Sequence, residues 1–270
     1  MGRLLVVLLL FFIFDVSQAQ PTSFKITWAV TPTPPFYIQN GKFNGQGICE
    51  AFIDEAISRL PELSHAVEIV PSNQVRLTQQ EQRQYCYPCS IKRDAHPFYV
   101  YSERTTWHPP HAVIAKKSLL SEWGNYPDSR IRFAELISNP QLRFATPASR
   151  AYPSSLQTYL DANMALANRF IVNGDGATIR IMQQLQLDRL DFTLEYPSVL
   201  KYYKAVYQDL SLDWMLTEEL GNRKVPGAVA CTKGEWGKEA VTHINRVIPD
   251  IVKNEDYINS QKRWTGISPE

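Results

Sequence analysis

The chain has 270 residues, four cysteines and a formal net charge of +1, with 28 Lys and Arg against 27 Asp and Glu. No block of like charge breaks that balance, which excludes nucleic acid or an acidic surface as the main partner. About 250 residues remain beyond an N-terminal leader, too many for one small core and suited to two lobes or one large domain.

Residues 1–19 read as a signal peptide. Arg3 supplies the positive start. Leu4 to Phe14 is an apolar run too short to span a membrane comfortably, and Ser17 and Ala19 place small residues before a cut at Gln20. No cysteine follows at once, so no lipid anchor is expected, and no second apolar run is long enough to span. The expectation is an exported, periplasmic protein. In an oxidising compartment four cysteines make two disulfides in one of three pairings. Cys86–Cys89 with Cys49–Cys231 is one of the three.

In chain order, 24–30 alternates as a strand should. Residues 31–35 hold three prolines and cannot be helix. Turns follow at Asn40-Gly41 and Asn44-Gly45. From Gly47 to Leu60 the spacing of Ile48, Phe52, Ala56 and Leu60 predicts an amphipathic helix, ended by Pro61. Residues 67–70 form a second strand, 72–84 have helical character, and 85–93 make a third strand. Strand, helix, strand, helix, strand is the logic of an α/β fold with a parallel sheet. A further strand covers 111–115. Residues 116–128 are a polar connection, and 133–138 a short helix. The pattern then restarts: strand 142–146, helix 154–163, strand 170–172, helix 178–187, strand 189–195. A late strand at 228–231 returns to the first unit, followed by helices at 235–252 and 257–264. Lobe 1 is therefore 20–114 with 224–270, and lobe 2 is 115–223, joined by two crossings that act as a hinge.

Ligands of open α/β sheets sit off the carboxyl ends of the strands, which points to the loops 31–37, 71–76, 88–93, 147–153, 173–178 and 195–197. In the third of these, Ser90 offers a hydroxyl and Arg93 a two-pronged fork for a small anion. Ser149 and Arg150 precede a helix, where free backbone amides favour negative charge. Glu195 ends its strand at the cleft and would attract an ammonium group once water is excluded. Tyr37 and Trp107 lie just past strands and are the aromatic candidates, with Trp28 and Phe36 as further possibilities. Each residue also has a plainer reading: a surface Arg, an N-cap region, a solvated Glu, core aromatics.

Sharper chemistries find less support. The Cys86-x-x-Cys89 spacing resembles a redox pair, but such pairs open a helix, and Ser90-Ile91 reads as strand. His96, His108 and His111 could suggest a metal, but Pro109-Pro110 holds two of them apart and no carboxylate has ligand spacing. No Gly-x-Ser-x-Gly elbow and no Gly-rich phosphate loop occurs, so neither catalytic residues nor a cofactor are expected.

Taken in order, these motifs resemble the family 3 extracellular solute-binding proteins of the polar amino-acid-binding type. The carrying residues are Pro34-Pro35-Phe36-Tyr37 with Gly45-Gln46-Gly47-Ile48; Pro88-Cys89-Ser90-Ile91; Tyr101-Ser102; the strand 189–195; and the closing helix from Tyr257 to Trp264. The similarity is nearest to a poorly characterised bacterial subgroup. It implies a two-lobe periplasmic-binding-protein-like fold of type II. It also implies that lobe 1 holds a ligand carboxylate through a Ser/Thr and an Arg, while lobe 2 adds helix-N-terminal amides and an acid for the ligand amine. Ser90 and Glu195 match those roles. Arg93 stands three residues past Ser90 where the family has four to five, so Arg76 or Arg104 could substitute.

The expected function is trapping of a small polar, amino-acid-like or anionic ligand for an ABC-type transporter, by a monomer whose partner is a membrane permease. Two other readings stay open: a sensor that feeds a separate membrane signalling protein, and a cleft enzyme of lyase or dehydratase kind using Glu195 or His96.

Overall fold

The computed structural model describes residues 23–124, 130–148 and 150–269. The expected signal peptide and Ser149 lie outside the described residues. The chain first runs β1 (Lys25–Val30), α1 (Ile48–Arg59), β2 (Ser64–Ile69), α2 (Val75–Gln80), β3 (Cys86–Ile91) and β4 (Tyr99–His108). It crosses over and continues with β5 (Ala112–Lys116), α3 (Lys117–Trp123), α4 (Phe133–Ser138), β6 (Phe144–Pro147), α5 (Ser154–Asn163), β7 (Arg169–Val172), α6 (Ala177–Gln186), β8 (Phe192–Glu195), α7 (Pro197–Tyr207) and β9 (Leu212–Leu216). It then returns through β10 (Val225–Thr232), α8 (Glu235–Ile251) and α9 (Glu255–Thr265).

Two five-stranded sheets result, ordered β2-β1-β3-β10-β4 in lobe 1 and β7-β6-β8-β5-β9 in lobe 2. Each is mixed. β1 runs parallel to β2 and β3, while β10 runs antiparallel to β3 and β4. β5 runs antiparallel to both β8 and β9. The expectation of parallel sheets thus holds for the βαβ half of each lobe. The strands added after the crossings are antiparallel, because a chain that re-enters a lobe without a covering helix comes back in the opposite sense.

The lobe boundary moves accordingly. The sequence places 112–114 in lobe 1, but β5 sits inside the second sheet, with Ala112 opposite both Glu195 and Leu216. The outward crossing is therefore at 109–111, over Pro109 and Pro110. An all-apolar strand such as 112–115 says only that it is buried on both faces, not in which sheet. The second crossing covers 217–224, near the expected return.

Local chemistry explains the elements that place the cleft. Glu50 at the start of α1 accepts from the amides of Gly47 (2.7 Å) and Ile38 (3.0 Å), tying the helix start to the loop after the prolines. The inner face of α1 buries Phe52, Ile53 and Ala56, with Phe52 edge-on to Trp28 at 6.2 Å. Trp28 is wholly core, so it is removed from the aromatic candidates. The disulfides are Cys49–Cys89 and Cys86–Cys231, not a Cys86–Cys89 bridge. Cys86 and Cys231 face each other across β3 and β10, and Cys49–Cys89 fastens α1 to the end of β3. Residues three apart on a strand that continues straight cannot meet; here Cys89 turns left-handed at φ 58° and swings its side chain toward α1.

One apolar cluster spans both lobes, joining Phe36, Ile38 and Ile48 to Tyr196, Val199 and Tyr202. At its edge the rings of Phe43, Tyr202 and Trp264 lie 5.2 to 6.2 Å apart.

Candidate functional site

A cavity of about 300 Å³ lies between the lobes. Lobe 1 supplies most of its wall and lobe 2 supplies Arg150, Ala151 and Tyr196. The rule of strand carboxyl ends holds: β1 ends at its floor, as do β3 and the start of the loop after it. Of the residues predicted from sequence, Tyr37, Ser90, Arg93 and Arg150 line this cavity. Arg76 stands on α2 and lines an adjoining cavity that shares Thr31, Tyr87 and Arg150 with the first. The Ser90 hydroxyl donates to the Tyr87 carbonyl at 3.3 Å, a long bond. Arg93 is exposed and takes part in no ion pair among the described residues.

Two predicted residues do not reach the cavity. Trp107 packs under the Arg104 guanidinium, 4.6 Å from its ring centroid. β4 has two register irregularities against β10, which break simple alternation along it, and the neighbouring His108 lines the cavity instead. Glu195 is 1 % exposed and has no ligand-facing oxygen to spare. Arg150 Nε donates to its Oε2 at 2.9 Å and Arg150 Nη2 lies 2.7 Å from the same oxygen, while the Tyr196 amide donates to Oε1 at 2.8 Å. Sequence reasoning treats Arg150 and Glu195 as two separate ligand contacts; they are each other's partner.

Around that pair the seam between the lobes is aromatic. Phe36 lies 5.6 Å from His108 and 5.7 Å from Tyr196, and Arg150 approaches both the Phe36 and Tyr196 rings within 5.7 Å. His111 stacks at 3.9 Å on Tyr196. Burial, reinforced by the Arg150 charge, pushes the His108 imidazole down to about 4 and His111 well below its usual value, so both are neutral at pH 7. Burial raises the Glu195 carboxyl, and Arg150 and the Tyr196 amide oppose that rise. Both nitrogens of His108 and of His111, and the Tyr196 hydroxyl, are buried and have no hydrogen-bond partner among the described residues.

The opposite wall, on lobe 1, is a row of tyrosines. Tyr87 and Tyr99 are 5.6 Å apart edge to face, and Tyr99 and Tyr101 6.5 Å. His96 stacks on Tyr99 at 4.8 Å. Sequence reasoning missed these three tyrosines, although their alternation in 85–101 with an inward-facing strand is a usable signal. Tyr87 is fixed by Thr78 at 2.6 Å and Tyr99 by the Gln79 amide at 2.6 Å, both from α2. At the rim, the Ser72 amide donates across the cleft to Asp175 at 3.1 Å, joining two of the loops selected from sequence. Among the described residues no cluster of three His, Cys, Asp or Glu side chains could hold a metal.

No family model matches the chain, and no curated protein matches it in sequence. Solved structures do match in shape. The substrate-binding protein of an amino acid ABC transporter superposes with a TM-score of 0.61 at 17% identity, covering 90% of this chain and 100% of that one. A putative L-cystine ABC transporter protein from Listeria monocytogenes gives 0.65 at 12%, covering 91% and 98%. An ABC uptake transporter substrate-binding protein from Streptococcus pneumoniae with bound histidine gives 0.65 at 14%, covering 91% and 94%. The fold is that of a two-lobed solute-binding protein. Within that fold the cavity described above occupies the cleft between the lobes.

Proposed function

We propose that the chain is an exported solute-binding protein that seats a small polar ligand on lobe 1, closes lobe 2 over it and delivers it to an ABC-type membrane transporter. The observation that carries this reading is a cavity walled by both lobes, with Ser90 and Arg93 on one side and Arg150 on the other. Two crossings, at 109–111 and 217–224, are the only covalent links between the sheets among the described residues, so a small rotation there opens or closes the cleft. The similar structures carry the names of binding proteins and not of enzymes, which supports a non-catalytic cleft.

The test is ligand-dependent thermal unfolding, combined with mass spectrometry of small molecules released on denaturing the purified protein. A ligand at a hundred times its dissociation constant adds roughly 2.7 kcal/mol, a rise of roughly 5 to 10 °C in a chain of this size. Failure of every released or screened solute to shift the midpoint would remove the binding reading. Crosslinking of the loaded protein to membranes then separates a permease partner from a signalling one.

A further inference from the structure

We infer that the occupant of this cleft is a small aromatic acid that carries no ammonium group, its anionic head drawn to Arg150 and Arg93 and its ring laid on the tyrosines of lobe 1. This deepens the binding-protein reading and rests on it.

The argument begins with charge. No Asp or Glu lines either of the two adjoining cavities of the cleft, whereas Arg76, Arg93 and Arg150 do. The one carboxylate positioned to meet an ammonium, Glu195, is buried and already answered by the Arg150 guanidinium. The protein's own cation therefore fills the place that a ligand amine would take. An ammonium group pushed into this cleft would lose its water and gain three positive neighbours, while the carboxylates at its edge, Glu195 and Asp175, are already engaged by Arg150 and the Ser72 amide. A carboxylate meets the opposite balance: among the described residues Nη1 of Arg150 makes no hydrogen bond, and Arg93, which lines the same cavity, has no counter-ion.

The body of the ligand follows from the wall. Tyr87, Tyr99 and Tyr101 form an edge-to-face aromatic cluster that lines the cavity, and a cavity of about 300 Å³ is at the small end of the range for small-molecule sites. A planar ring stacks on such a surface, while a branched polar side chain would leave it without contact.

Calorimetry on the intact mature protein, emptied by denaturation and refolding, tests this. The probes are benzoate, phenylacetate and 3-phenylpropanoate, with phenylglycine and phenylalanine as the ammonium-bearing counterparts of the last two. At least one of the acids binds, and binds tenfold or more tightly than its counterpart. Arg93→Gln, at an exposed residue, weakens that acid roughly tenfold, as loss of a charged hydrogen bond does. Arg150→Met leaves Glu195 without its cation, so the ratio of acid to amino-acid affinity falls or inverts, which a merely structural role for Arg150 would not produce. If this variant does not fold, the Arg93→Gln and counterpart comparisons decide alone. Binding of none of the three acids, or phenylalanine or phenylglycine binding as tightly as its acid, overturns the inference. Tight binding of an amino acid overturns it while leaving the binding-protein reading in place. No binding by the acids, the twenty amino acids or any released molecule overturns both.

Discussion

Glu195 is buried and Arg150 largely so, and each is the main compensation for the other. Removing one side alone strands a buried charge. Glu195→Ala is expected to lower stability by about 3 to 5 kcal/mol, read from urea unfolding, with the pair-neutralising Arg150→Met/Glu195→Gln double variant much closer to the parent. His108 gives a pH prediction. Its folded value of about 4 lies below the ordinary 6.5, so above pH 6.5 both folded and unfolded forms are neutral and nothing is lost. As the pH falls from 6.5 toward 4 the unfolded chain takes the proton first, and about 3 kcal/mol of stability disappears. His111 acts with the same sign, and Glu195, raised by burial, with the opposite one. The contribution of His108 is therefore the difference between parent and His108→Phe, whose unfolding midpoint should fall less over that window. Sequence alone reaches Tyr37, Ser90, Arg93 and Arg150 by the rule of strand ends. It cannot see that Glu195 is consumed by Arg150, since 45 residues separate them and only the packed lobe brings them together. It takes Trp107 for His108 because a strand's parity is fixed by its neighbours and not by its own residues.

The element that holds the cleft floor in place is β10, wedged between β3 and β4. Gly227 there sits so close to β4 that a Cβ would stand 2.6 Å from Thr106 Cγ2 and 2.7 Å from His108 Nε2. Thr106 cannot swing clear without breaking its 2.6 Å hydrogen bond to Gln261. Gly227→Ala is expected to cost about 1 to 3 kcal/mol by overpacking, measured by chemical denaturation, and to weaken ligand binding by displacing His108. Most elements were legible from periodicity: α4 and α5 fall where the apolar spacing puts them, and α1 within a residue at each end. Two strands, β4 and β9, and two helices were not. The stretch 116–128 reads as a polar connection, yet Leu120 anchors α3 in the lobe 2 core. The Tyr196-Pro197 pair reads as a turn, but proline at the first helical position is a start signal, and α7 begins there.

At the scale of the molecule, the proposed closure is a rotation about the two short crossings at 109–111 and 217–224. The aromatic contact of Phe43 and Trp264 with Tyr202 lies on the seam between the lobes, so Trp264 senses their relative position. A ligand that closes the cleft should shift Trp264 emission and reduce the radius of gyration by small-angle scattering. A change in unfolding temperature with neither would mean binding without closure. The alternation of α/β units makes two lobes readable from sequence. The sheet that owns β5 is not readable, since pairing with β8 and β9 is a long-range choice.

The two bridges interlock along the chain: Cys86 lies inside the loop closed by Cys49 and Cys89, while its own partner, Cys231, comes 145 positions later. A polypeptide threaded into an oxidising space from its N-terminus shows three thiols long before the fourth. An oxidant that joins sulfurs in their order of arrival would marry Cys49 to Cys86 and leave Cys89 waiting for the wrong mate. On the proposed export route, refolding of the reduced chain is expected to be faster with a catalyst that reshuffles such mismatches than with an oxidant alone, read as recovery of the Cys49–Cys89 and Cys86–Cys231 pairing.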